Sequence, residues 1–247
     1  MSEAADGFNP EYDPTGIEGG LDTNLLPWID VPNTDGISMK TVRASMESGM
    51  FSLILKIEEG KAFPPSVFLG GMDLLLLSGE LDFSQGSQTS LLKPGTWGFV
   101  PANIKVDSIK AKIESEILVN FFNGVSILNS NGAVDSILTA MDVNQLAKDL
   151  GVTMVPSSLA DCARARPDVY QGEPSPLAIA KRNANELVDG EPSSDVHVYA
   201  HQYFIDAKTV PWIINPDLPD IGLKILRVSE ETGVISLIVK HKGDRKS

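Results

Sequence analysis

Hydrophobic and polar positions alternate with a period of two through much of the chain. The stretch Ile37-Ser-Met-Lys-Thr-Val-Arg43 alternates, Ser48-Gly49 interrupts it, and Phe51-Ser-Leu-Ile-Leu-Lys56 resumes it. This pattern predicts two strands joined by a turn. Asp73-Leu-Leu-Leu-Leu-Ser78 predicts a buried strand ended by Gly79, and Glu80-Leu-Asp-Phe83 alternates again. Thr89 to Leu92 and Thr96 to Val100 predict short strands around the turn Lys93-Pro-Gly95. Ser115 to Phe122 and Gly124 to Leu128 complete the series. Short strands punctuated by Gly and Pro turns point to a sandwich or barrel. Residues 135–190 differ: Asp142 to Leu150 has helical spacing, with Asp142 as the expected N-cap and Gly151 as the stop. A second helix is expected over Leu177 to Leu187, with Pro167, Pro174 and Pro176 between the two. Strand character returns from His197 to Ile205.

The strand pattern begins twice. PWIDVPNTDGISMKTVRASMESGMFSLILK, residues 27–56, aligns without a gap to PWIINPDLPDIGLKILRVSEETGVISLIVK, residues 211–240, at a constant offset of 184. Trp28/Trp212, Lys40/Lys224, Arg43/Arg227, Gly49/Gly233, Ser52/Ser236 and Lys56/Lys240 are among the identical pairs. Such self-similarity means that one supersecondary unit starts twice. Only 37 residues run from Pro211 to Ser247, so the second copy is expected to hold the opening strands alone. Two strands are not stable by themselves. They are expected to pair with an edge of the first barrel or with the same strands of a second copy in a homodimer. A loosely held remnant is the third option.

Charge and composition narrow the function. The chain has 20 Lys+Arg against 33 Asp+Glu, a net charge of −13. Eight acids and no base lie in residues 1–39, so residues 1–24 are expected to form an acidic flexible arm. A nucleic-acid groove needs clustered Lys and Arg and is not expected. No apolar run approaches the ~20 residues of a membrane helix, and the N-terminus MSEAADGF lacks signal-peptide character. The expected location is the cytoplasm. One cysteine, Cys162, excludes a disulfide framework or a Cys-rich zinc module.

Two segments resemble the paired motifs of the cupin superfamily. At the first motif's spacing, Gly60 is followed by Ser66, Phe68, Met72 and Gly79. At the second, Gly95 is followed by Pro101, by Asn103 at a glycine position and by Val106. The Pro-Trp start of each repeat, preceded by Leu26 in the first copy, and Leu77-Ser-Gly-Glu80 are similar to one branch, the ChrR-like anti-sigma cupins and the acetylacetone and 2,4′-dihydroxyacetophenone dioxygenases. The resemblance implies an all-β, RmlC-like jelly-roll barrel over residues 25–130, a partly helical connector over 131–195 and the start of a second repeat over 196–247. It also implies that three His and one Glu should bind a divalent metal at Ser66, Phe68, Met72 and Val106. Serine hydroxyl is a weak ligand, thioether prefers soft ions, and Phe and Val have no donor. Asp73, beside the Glu position, is expected on the opposite face of its strand. No metal and no cofactor are therefore expected.

The expected product is a metal-less cupin acting as a small-molecule-binding or protein-interaction module. Ser66, Phe68, Met72, Val106 and Trp97 would line a pocket for a small apolar ligand. The alternatives are a dioxygenase-like enzyme acting on a diketone or aryl ketone, and a ChrR-like regulatory protein. His197 and His201 are four apart on a predicted strand, about 13 Å at ~3.3 Å per residue, too far for one metal. His241 stands alone near the end. Cys162 lies near Arg164 and Arg166, which would lower its pKa, with no histidine near it in sequence.

Overall fold

The protein is described here from a computed structural model, covering residues 23–24, 26–46, 48–152, 154, 187–191, 202–230 and 233–241. The first copy of the repeat gives β1 (Ile29–Asp30), β2 (Ile37–Ala44) and β3 (Phe51–Ile57). Then come β4 (Ala62–Phe63), β5 (Ser66–Phe68), β6 (Met72–Gln85), β7 (Gln88–Leu92), β8 (Thr96–Val100), β9 (Lys105–Val106), β10 (Ser108–Phe121), β11 (Val125–Leu128) and β12 (Val134–Leu138). Helix α1 (Ala140–Asp149) follows, and after the connector β13 (Phe204–Asp206). A nine-stranded antiparallel sheet runs β1-β2-β3-β10-β6-β8-β13, with β4 on β10 and β7 on β6. A four-stranded sheet runs β12-β11-β5-β9. One apolar core joins the two, taking Met39, Phe51, Leu53, Leu74 and Phe121 from the larger sheet and Phe68, Val106 and Val125 from the smaller. Each such buried side chain stabilises the fold by about 1.5–3 kcal/mol relative to exposure. This is an all-β jelly-roll barrel of the cupin fold.

Several elements depart from the periodicity. Gly79 does not end its strand; β6 runs through it to Gln85. The chain bends there instead. Gly79 has φ +89, and a Cβ would lie 2.1 Å from Ser115 Oγ and 2.5 Å from the Glu114 carbonyl. On β10 the register against β6 shifts between Ala111 and Ile117, so glycine lets the bulged strand pass close. The segment 134–138, expected in the connector, is strand β12 paired with β11. Helix α1 begins earlier than its spacing predicts. Thr139 is the N-cap and Asp142 is the N3 partner of a capping box. Ala140 and Val143 then join the core. Phe204–Asp206, expected to open the second repeat, pairs instead with β8 of the barrel, and Phe204 packs edge-on against Phe83 at 4.8 Å. The helix expected over 177–187 lies largely outside the described residues.

The second copy of the repeat forms its own sheet: β14 (Ile213–Asn215), β15 (Leu218–Val228) and β16 (Ile235–His241), in that order. Its register repeats the first copy residue for residue. Ile29↔Met39 becomes Ile213↔Leu223, and Ala44↔Phe51 becomes Val228↔Ile235. The bulge between Thr41 and Arg43 recurs between Ile225 and Arg227. The side chains repeat as well. Trp28 lies between the ammonium groups of Lys40 and Lys56, at 4.7 and 4.8 Å from the ring. Trp212 lies between those of Lys224 and Lys240, at 4.9 and 5.4 Å. Lys40 donates to the Thr23 carbonyl and Lys224 to that of Ala207, again 184 apart. Among the described residues the C-terminal strands extend no edge of the barrel. They lie across its outer face through side chains.

Candidate functional site

The positions where the cupin motifs would place a metal converge inside the barrel. β5 directs Ser66 and Phe68 inward, and Val106 on β9 is the direct cross-strand partner of Ser66. Met72 on β6 stands opposite Phe121 and Val100. All four are at most 1% exposed. The Ser66 hydroxyl donates to the Pro64 carbonyl at 2.8 Å, which commits its proton to the backbone. Phe68 lies 5.9 Å from Phe121, which stacks on Phe51 at 4.7 Å. An internal cavity beside them measures about 10 Å³ and is bounded by Phe63, Phe68, Met72, Leu74, Ile109 and Phe121 among others. That is at the lower limit for a single water, and its walls are apolar. A hydroxyl, a thioether, a phenyl ring and an isopropyl group do not fit a divalent metal. Among the described residues no group of three or more His, Cys, Asp and Glu is placed to hold one.

Trp97 does not join this set. It faces outward from β8, beside Leu75 of β6 and Ile205 of β13. It is nonetheless buried, because the C-terminal sheet lies over it. Between the barrel's outer face and that sheet runs a groove of about 550 Å³. Asp73, Leu75, Trp97, Asn120, Ser236 and Ile238 are among the residues lining it. Asp73 points to this outer face, as strand alternation requires. A hydrogen-bonded chain crosses the groove: Ser52 donates to Asn120 Oδ1 at 2.6 Å, Asn120 Nδ2 to Asp73 Oδ1 at 2.6 Å, and Ser236 to Asp73 Oδ2 at 3.0 Å. Burial pushes the Asp73 carboxyl above its ordinary value, against the lowering by the Asn120 and Ser236 donors and the Arg227 charge. Arg227 stacks over the Phe99 ring at 3.6 Å. Elsewhere on the C-terminal sheet, Lys240 and the Trp212 indole donate to Asp189, and these hold its carboxyl below the ordinary range.

Motif spacing located the interior positions but not the groove. Its one sequence signal is the identity of Ser52 with Ser236 and of Arg43 with Arg227 across the repeat. Both serines enter the polar chain. Cys162, His197 and His201 lie outside the described residues. His241 ends β16.

Residues 18–125 match the family described as ChrR Cupin-like domain. No curated protein matches the chain. Among solved structures, the acetylacetone dioxygenase from Acinetobacter johnsonii is 18% identical, with a TM-score of 0.46 over 51% of this chain and 87% of that one. An RmlC-like cupin protein from Ralstonia eutropha JMP134 is 14% identical, with a TM-score of 0.48 over 57% and 92%. Over residues 18–125 the chain is thus similar to the ChrR Cupin-like domain, and the solved structures share its fold.

Proposed function

We propose that this chain is a metal-less cupin that acts as a binding module rather than an enzyme. In this reading it derives from a two-cupin protein. The barrel is a rigid scaffold, and recognition takes place on its outer face. One observation carries the proposal. The four side chains at the motif's ligand positions are fully buried, and Phe68 and Met72 among them line a cavity of only about 10 Å³. Neither a metal with its substrate nor a small apolar ligand fits that space without repacking. The groove beside Trp97, at about 550 Å³, is of the size that takes small molecules. Its polar chain of Ser52, Asn120, Asp73 and Ser236 would orient a ligand with an apolar body and a hydrogen-bonding end.

The test is elemental analysis of protein purified without chelators or metal-affinity resin, followed by oxygen uptake. Iron, zinc, manganese and nickel are expected well below one ion per chain. No oxygen uptake is expected with acetylacetone or an aryl ketone, with or without added ferrous iron. A stoichiometric first-row metal, or turnover that depends on one, overturns the proposal.

A further inference from the structure

The two copies of the repeat share one backbone and differ in what covers them. In the first copy the inward face of β1-β2-β3 carries Ile29, Thr41, Ala44, Phe51, Leu53 and Leu55, none more than 9% exposed. It packs in one core with Phe68, Val106 and Val125 of the smaller sheet. The same face of the C-terminal sheet carries Ile213, Ile225, Val228, Ile235, Leu237 and Val239, which are 42–57% exposed. The cross-strand pairs Val228↔Ile235 and Ile225↔Leu237 place these side chains on one face. Four charged and polar side chains of the sheet, Lys224, Arg227, Ser236 and Lys240, are engaged on the other face, against the barrel, Trp212 and Asp189. The solvent-facing side of β14-β15-β16 therefore carries an apolar patch of six aliphatic side chains. Patches of this kind on a stable protein mark an interface.

We infer that this face is a self-association surface, packed against the same face of a second copy of the chain about a two-fold axis. Three features select that occupant. First, the patch is uniformly aliphatic, so it is complementary to itself under the two-fold that an isologous dimer requires. Second, the first copy shows how such a face is satisfied, by another sheet packed on it at about 10 Å. Third, the exposed aliphatic residues offer roughly 500 Å² per copy, so a face-to-face pair buries roughly 1,000 Å², about the threshold for a specific interface. Pairing β16 edge to edge with β16 of a second copy would leave the patch exposed and twice as large. Face-to-face packing is the arrangement that covers it. The chain's net charge of −13 opposes close approach in general, but the charged side chains of this sheet named above lie away from the contact.

Sedimentation equilibrium of the full 247-residue chain at 1–50 µM, roughly spanning a micromolar constant, is the primary test. A mass of twice 26.6 kDa is expected at the upper end. The Leu237→Glu/Val239→Glu variant is expected to weaken dimerisation more than tenfold. The Val134→Glu/Ile137→Glu variant, which charges the exposed aliphatic pair on β12, is expected to leave it unchanged. A second measurement guards against a misfolded β16 variant. In a Cys162→Ser background, a short bis-maleimide is expected to join copies carrying Leu237→Cys and not copies carrying Val134→Cys. A monomeric wild type at 50 µM overturns the inference. So does a dimer indifferent to the β16 charges, or one cross-linked equally from β12.

Discussion

Asp73 shows how a single side chain sets a balance at the groove. Its carboxyl is buried and accepts two hydrogen bonds, yet burial outweighs them and raises its pKa above 3.8. A raised acid holds its proton more tightly in the folded chain than in the unfolded one. The stability it lends is complete below about pH 4 and is lost as pH rises through the folded value. Asp73→Asn keeps an oxygen for Asn120 and an amide that Ser236 can accept, while removing the buried charge. The variant is expected to match or exceed wild-type stability at pH 7 by up to ~1 kcal/mol, and to lose that advantage at pH 4. Asp73→Ala leaves the Asn120 amide without its acceptor and is expected to cost about 1–3 kcal/mol at both pH values. Thermal melts of the three proteins at pH 4 and 7 check this. Neighbouring positions show what was legible at this scale. Asn103, read from spacing as standing at a glycine position, does take a left-handed φ of +61, which asparagine tolerates better than most residues. Its N–H bonds the Phe68 carbonyl. Trp97 was not legible. Alternation fixes which residues of one strand share a face, but only the register with β6 decides which face is inside.

The element scale explains why the repeat kept particular residues. Its identical Trp and Lys positions form one device, an indole between two ammonium groups, with one lysine bonded to a carbonyl 17 residues upstream. In the second copy that lysine also bonds the Val188 carbonyl, tying the C-terminal sheet to the end of the connector. Burial holds the Lys224 ammonium below its ordinary pKa, partly offset by Asp189 and Asp206. Lys224→Met removes the ammonium donor from the Val188 carbonyl and leaves the Ala207 carbonyl only the Val210 N–H, and is expected to cost about 1–3 kcal/mol. The loss is expected to be local. Hydrogen exchange should quicken in β15 and β16 and not in β3 and β10, because the latter pair draw on the barrel core. Lys40→Met, inside the barrel's own sheet, is expected instead to lower the protection of β2, β3 and β10 together. Equal effects of the two substitutions on β10 would contradict this division. Strand existence was well marked in the sequence, to within a residue for β2, β3 and β8. Strand partners were not. Residues 204–206 read as a strand, but nothing local says that it closes on β8. The exposed, weakly alternating β12 carried no strand signal strong enough to separate it from the connector.

For the molecule as a whole, the question is whether the second copy is part of the fold or a passenger on it. The apolar core is built from residues between Ile29 and Phe204, and among the described residues none of β14, β15 or β16 contributes to it. Four kinds of tie hold the sheet in place: Ser236 to Asp73, Arg227 over Phe99, Lys240 and Trp212 to Asp189, and Lys224 to the Val188 and Ala207 carbonyls. Each is polar or cation–π, of about 0.5–2 kcal/mol, and none closes the barrel. A chain ending at Val210 keeps β13 and the Phe204 contact, so it is expected to unfold in a single cooperative transition. Its melting temperature is expected to fall by only a few degrees, since 1 kcal/mol shifts a domain of this size by about 2–4 °C. Two signatures should accompany the change. Trp97, only 8% exposed beneath the sheet, becomes wet, so tryptophan emission shifts to the red beyond what loss of Trp212 alone produces in a Trp212→Phe control. The raised pKa of Asp73 also relaxes toward 3.8 once its cover is gone, flattening the dependence of stability on pH between 4 and 7. Loss of cooperativity in the shortened chain would mean that the sheet completes the core after all. A cooperative melt with both signatures would make it a separable layer, kept for the surface it presents rather than for the fold it sits on.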